Sequence, residues 1–205
     1  TIGDLAHEKK PKIQALLGEK AGQQLYRYAR GLDDSPVKMK PDEAKGFSLE
    51  TTFNDDLVSM EQALPILLEQ CDVLAARMRR KKKKCTCISV TFRTLDFQNR
   101  SHQMKLKNAT DITDEIYFHA RKLFEESWRG QPLRLLGVSL TGLTDDSFEQ
   151  LSFFEDTREK ERRQKLDAAL DSIRLKYGND KVTRASIMNS TARIGRKAKA
   201  QMENE

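Results

Sequence analysis

The chain has 205 residues, a net charge of +6, 33% charged and 38% hydrophobic residues, enough for one large domain or two small ones with real cores. No apolar run approaches a membrane span and no signal peptide opens the chain; the odd set Cys71, Cys85 and Cys87, with His7, His102 and His119 scattered, excludes a disulfide framework and a zinc site. What remains is a basic protein with free thiols, expected in a reducing cytoplasm, for which nucleic acid or another polyanion is a reasonable partner.

Thr1 is a plausible N-cap for a short helix, and Pro11 can start the next. Leu16, Leu17, Leu25, Tyr26 and Ala29 supply apolar faces, and Gly18, Gly22 and Gly31 punctuate them. Residues 1–37 thus read as a helical unit too small to fold well alone. Residue 1 is not Met, and the chain reads as a fragment. Residues 38–46, with Pro41 and little that is apolar, read as a linker.

Residues 47–53 alternate, with Phe47, Leu49 and Phe53 inward, and predict a first strand. Ser59 and Gln62 match a capping box. After it Met60, Leu64, Leu67, Cys71, Leu74 and Met78 recur at helical spacing, with Pro65 just past the first turn. Arg77, Arg79, Arg80 and the lysines 81–84 follow, suited to a helix C-terminus. Residues 85–93 alternate again, burying Ile88, Val90 and Phe92, and residues 103–107 bury Met104 and Leu106. Ile116, Ala120, Leu123, Phe124 and Ser127 mark a second helix, and residues 136–141 a last strand. The fold class is α+β, in the order β-α-β-β-α-β over residues 47–146. A four-stranded sheet, mixed or antiparallel, should have both helices on one face.

The other face would collect Ser48, Ser89, Thr91, Arg93, Lys105, Lys107, Ser139 and Thr141. Hydroxyls and cations can bond phosphate oxygens without reading base sequence. Glu50 is the misfit and would have to sit off the phosphate path. A solvated outer face is the plainer reading of the same pattern. Likewise, the run 79–84 reads first as a solvated helix end. The pairs Asp55 and Asp56, Glu125 and Glu126, and Asp145 and Asp146 fall at turns, helix starts or exposed faces, where acids are ordinary. Beyond them, residues 157–177 form a charged helix with a narrow stripe of Leu166, Leu170, Ile173 and Tyr177, stopped by Gly178. Residues 193–201 are basic and poor in apolar side chains.

Residues 1–6 (TIGDLA), 28–37 (YARGLDDSPV) and 45–53 (KGFSLETTF) resemble the thumb, linker and following strand of Y-family translesion DNA polymerases, the bacterial DNA polymerase IV group above all. Residues 96–101 (DFQNRS) and 135–139 (LLGVS) resemble that family's little-finger hairpin and last strand. Residues 166–178 with 184–186 resemble a C-terminal extension of some members. The resemblance implies a little finger whose sheet lies in the DNA major groove, and it adds Lys45, Arg100 and Ser101 to the DNA-binding set. It also implies a parent enzyme that uses two magnesium ions held by palm carboxylates. Palm, fingers and the thumb's glycine hairpin would precede Thr1, so no catalytic residue, metal ligand or cofactor is expected in this fragment, which should be inert and monomeric.

Gln150, Leu151, Ser152, Phe153 and Phe154 resemble the pentapeptide with which bacterial polymerases dock on the sliding clamp, with Phe153 where Leu is usual. Gln150 can hydrogen-bond at the rim of a cleft while the apolar side chains fill it. The plainer reading makes Phe153 and Phe154 tethers for the C-terminal helix. On this view the chain holds primer–template and recruits its parent to the clamp; the alternative is a polymerase-like clamp adaptor that never polymerises.

Overall fold

The computed structural model describes residues 1–37, 39, 43–145, 157–179 and 181–188, in two compact units, Thr1–Glu43 and Ala44–Glu205. In the first, α1 (Ile2–His7), α2 (Lys10–Leu17) and α3 (Glu19–Tyr28) follow one another closely. Thr1 caps α1 as the sequence predicts, its hydroxyl accepting from the Asp4 N–H at 3.2 Å. Ile13 is buried, whereas Leu16, Leu17 and Leu32 remain exposed. A single buried aliphatic is little core for three helices.

The second unit has β1 (Gly46–Leu57), α4 (Met60–Arg80), β2 (Lys83–Thr94), β3 (Asn99–Thr110), α5 (Thr113–Ser127), β4 (Leu133–Asp145) and α6 (Thr157–Tyr177), then a 3-10 turn at Ala185–Ile187. The strands form one sheet in the order β1-β4-β2-β3, and every pairing is antiparallel. This is the expected β-α-β-β-α-β arrangement. Ser59 caps α4 by accepting from the Gln62 N–H, but the Gln62 side chain reaches back to the N–H of Val58 rather than of Ser59. Pro65 sits inside α4, which runs unbroken to Arg80.

Helices α4 and α5 cover one face of the sheet. Ile66, Leu67, Leu74 and Met78 from α4, and Ile116, Ala120 and Phe124 from α5, pack with Ile88, Val90, Phe92, Leu136, Val138 and Leu140. Phe124 meets Phe92 edge-on and stacks on Trp128, giving this core an aromatic spine. Cys71 and Cys85 belong to the same core, Cys87 is half-buried, and all three thiols are free.

The C-terminal helix docks differently from the sequence expectation. Leu166 is 51% exposed, and Ile173 and Tyr177 also face solvent; the buried position on α6 is Asp167. Its packed side is charged because it meets opposite charges. Arg79 donates through Nε to Asp171 Oδ2 at 2.7 Å and pairs with Asp167 at 3.2 Å. Arg174 donates to Asp72 Oδ2 at 2.6 Å. Arg184 reaches Asp114 at 2.7 Å and Asp167 at 3.1 Å. Arg79 is therefore no solvated helix end: its side chain is only 12% exposed. Burial alone would lower its pKa, but the bond to Asp171 and the charges of Asp167, Asp171 and Asp111 outweigh it and hold the guanidinium above its ordinary value. Lys84, at the end of the same run, is buried in β2.

Candidate nucleic-acid interface

The face of the sheet away from α4 and α5 is built from alternate residues of four strands, and the pairing register orders them into rows. One row runs Ser48, Ser139, Ser89, Gln103 across β1, β4, β2 and β3. On one side of it lies Gly46, Thr141, Cys87, Lys105; on the other lies Glu50, Gly137, Thr91, Ser101. A fourth row is Thr52, Leu135, Arg93, Asn99.

These hydroxyls form a connected patch. Ser89 Oγ and Ser101 Oγ are 3.1 Å apart, and Thr91 Oγ1 donates to Ser101 Oγ at 3.1 Å. Arg93 Nε donates to Asn99 Oδ1 at 2.6 Å, which fixes the guanidinium at the end of the patch. Lys105 and Lys107 are exposed on β3, and Lys45 is exposed just before β1. Apart from Arg93 on β2 and Lys45 ahead of β1, the charge grades across the sheet from Lys105 and Lys107 on β3 through neutral hydroxyls to Glu50 on β1. Glu50 rests over Gly137, where a Cβ would lie 2.5 Å from its Cγ and 3.2 Å from the Leu49 carbonyl. The missing side chain at 137 lets the one acid of these rows lie low at the margin.

Of the sequence-predicted set, Ser48, Ser89, Thr91, Arg93, Ser101, Lys105, Ser139 and Thr141 share this face by register. Arg100 does not. It pairs with Phe92, a core position, because adjacent strand residues point to opposite faces. Arg100 belongs instead to the exposed β3 edge on the helix side. Gln103 and Asn99 were missed, although the alternation through Ser101, Lys105 and Lys107 places them on the open face. Gln150, Leu151, Ser152, Phe153 and Phe154 lie outside the described residues, as do residues 193–201. Among the described residues no group of three or more His, Cys, Asp or Glu side chains could hold a metal ion. Nor is any described helix long and apolar enough to cross a membrane.

Residues 44–153 match the impB/mucB/samB family C-terminal domain. The chain belongs to that family. Its first unit points the same way, since residues 1–33 match the DNA polymerase-iota thumb domain. The Y-family resemblance of the sequence is thereby confirmed. Among relatives of this impB/mucB/samB member, a DNA polymerase IV of Clostridium acetobutylicum is 43% identical over 188 residues, covering 92% of this chain and 47% of the relative. A DNA polymerase IV of Alkaliphilus oremlandii is 39% identical, covering 92% and 49%. "DNA polymerase IV 2" of Halalkalibacterium halodurans is 36% identical, covering 97% and 49%. The chain spans about half the length of these curated relatives.

Proposed function

We propose that this chain is the DNA-holding and clamp-recruiting part of a translesion DNA polymerase. The open sheet face grips the duplex by its phosphates, and residues 150–154 dock on the replication sliding clamp. The observation that carries the reading is the face itself: four strands supply serines, threonines, Arg93 and Lys105 in register, with Lys107 exposed further along β3 and the single acid of these rows at one margin. Such a surface bonds phosphate oxygens and is indifferent to base identity. Template-directed nucleotidyl transfer and its magnesium chemistry belong to the rest of the parent protein, so this chain alone is catalytically inert. It acts as a monomer in the cytoplasm.

The experiment is a titration of the chain against duplex DNA over a range of salt. The expected slope of log K against log salt is about −0.9 per phosphate neutralised, with no dependence on base sequence. Salt-indifferent binding would refute the phosphate grip. Clamp docking is tested separately, by titrating the chain with a bacterial sliding clamp alongside the triple variant Gln150→Ala, Leu151→Ala, Phe154→Ala. Binding by the parent chain and loss in the triple variant is the expected result. Equal binding by both would remove these residues from the contact.

A further inference from the structure

The hairpin between β2 and β3 carries an aromatic side chain in an unusual setting. Phe97 has φ +60, a left-handed conformation that bulky residues avoid. The turn over-determines it: the Phe97 N–H donates to the Thr94 carbonyl at 3.1 Å, the Thr94 N–H donates to the Gln98 carbonyl at 3.2 Å, and the Thr94 hydroxyl holds Asp96. The ring is nevertheless 66% exposed, with Leu95 also exposed beside it in sequence. A large ring held in a costly backbone conformation and then left in water is poorly explained by packing.

Its surroundings are cationic. The Arg134 guanidinium carbon lies 5.6 Å from the centre of the Phe97 ring. Arg134 is there because β4 bulges: opposite β2 the register steps from Arg93–Leu135 to Thr94–Leu133, leaving residue 134 unpaired. Bulges of this kind re-aim a side chain. Arg93, fixed by Asn99, closes the open face at the same end. Of the nearby acids, Asp96 is engaged by Thr94, while Asp55 and Asp56 lie in the irregular stretch of β1 opposite Leu133–Leu135, on the Arg134 side of the site.

We infer that Phe97 is a stacking platform for an unpaired base of single-stranded DNA leaving the open face, with Arg134 and Arg93 taking the adjoining phosphates. The inference rests on the proposed binding of duplex to that face and extends it to a second substrate class. An exposed π-face beside arginines is the chemistry that holds single strands, whereas the bases of an intact duplex are already stacked and offer no free ring.

The test measures fluorescence anisotropy of the whole chain with a blunt duplex, and with the same duplex bearing a single-stranded thymidine overhang. The overhang should tighten binding, and Phe97→Ala should abolish that gain, by roughly 5- to 100-fold, while leaving the blunt-duplex affinity unchanged. Phe97→Trp should restore the gain and show quenching of the new indole on adding the overhang probe; Trp128, being buried, is the unchanging background. Phe97→Gly relieves the backbone and should match the alanine variant in binding while remaining folded. If the overhang adds nothing, or Phe97→Ala keeps the gain, the platform is overturned even though the duplex grip stands. Failure of the parent chain to bind blunt duplex would overturn the proposed function instead.

Discussion

Asp167 Oδ2 accepts from the backbone N–H of Thr113 at 2.8 Å, so a carboxylate on α6 caps the start of α5. The residue at the N-cap position of α5 is Ile112, which has no side-chain acceptor. One first-turn donor, left without a local partner, is satisfied from 54 positions along the chain. The same aspartate pairs with Arg79 and Arg184, so cap and ion pair converge on one buried side chain.

Asp167→Ala should therefore cost about 3–5 kcal/mol, since it uncaps α5 and leaves two arginines short of a buried partner. Asp167→Asn keeps an acceptor for Thr113 and should cost less. Urea unfolding of the three proteins measures both. An alanine variant as stable as the parent would mean that α6 does not dock through this residue.

Gly142, in β4, has φ +63, and a Cβ there would lie 2.3 Å from Thr86 Oγ1, whose hydroxyl donates to the Gly142 carbonyl at 2.9 Å. Gly142→Ala should destabilise the chain by about 1–2 kcal/mol from the backbone alone, and further through loss of the Thr86 bond. Thermal unfolding reads the loss. Pairing it with Thr86→Ala tests the mechanism, because the second change should remove part of the penalty of the first.

The charge gradient across the sheet makes a directional prediction for DNA. Lys105→Ala should weaken duplex binding and reduce the magnitude of the salt slope by about 0.9. Glu50→Gln should tighten binding by removing the acid at the β1 margin. Arg100→Ala, on the other face of β3, should change the slope less than Lys105→Ala. Equal effects at 100 and 105 would move the contact from the open face to the strand edge.

His119, on α5, has a buried Nδ1 with no hydrogen-bond partner. Burial lowers its pKa, Glu115 opposes the shift and Lys122 adds to it. As pH falls, the unfolded chain takes up this proton first. The stabilising contribution is thus complete above about pH 6.5 and is lost as pH falls through the lower folded value. Unfolding midpoints measured from about pH 7.5 to 5 should drop for the parent, and His119→Gln should lose less over the same interval. Parallel curves would remove His119 from the acid response.

How much of this was legible depends on which physics set each feature. Strands β2 and β4 could be read because one face is buried and the other wet, so Ile88, Val90, Phe92 and Val138 declare the period directly. Helix α5 was readable from its apolar stripe despite lacking a cap signal. The strand order is not in any local pattern. Arg100 was misplaced because its face hangs on a one-residue parity that charge alone does not reveal. The least legible feature was the docking of α6. Asp167, Asp171 and Arg174 look like any solvated helix until their partners Arg79 and Asp72, about ninety to a hundred positions earlier, are brought alongside. Of the candidate site, the membership of the open face was legible from alternation, and the setting of Phe97 was not, since neither its backbone conformation nor the bulge at Arg134 has a sequence signature.

The burial of two cysteines gives the molecule a built-in reporter position. Thiolates are the species that react with alkylating dyes, and burial pushes the Cys85 thiol up to about 12 and raises that of Cys71 as well. Cys87 is the half-buried one, and it sits in the row between Thr141 and Lys105. A maleimide fluorophore should therefore attach at a single place without any cysteine being removed, and that place lies in the middle of the proposed contact with DNA. Labelling the native chain becomes a footprint: duplex bound to the open face should shield Cys87 from the dye, and a partner bound elsewhere should leave its labelling rate unchanged.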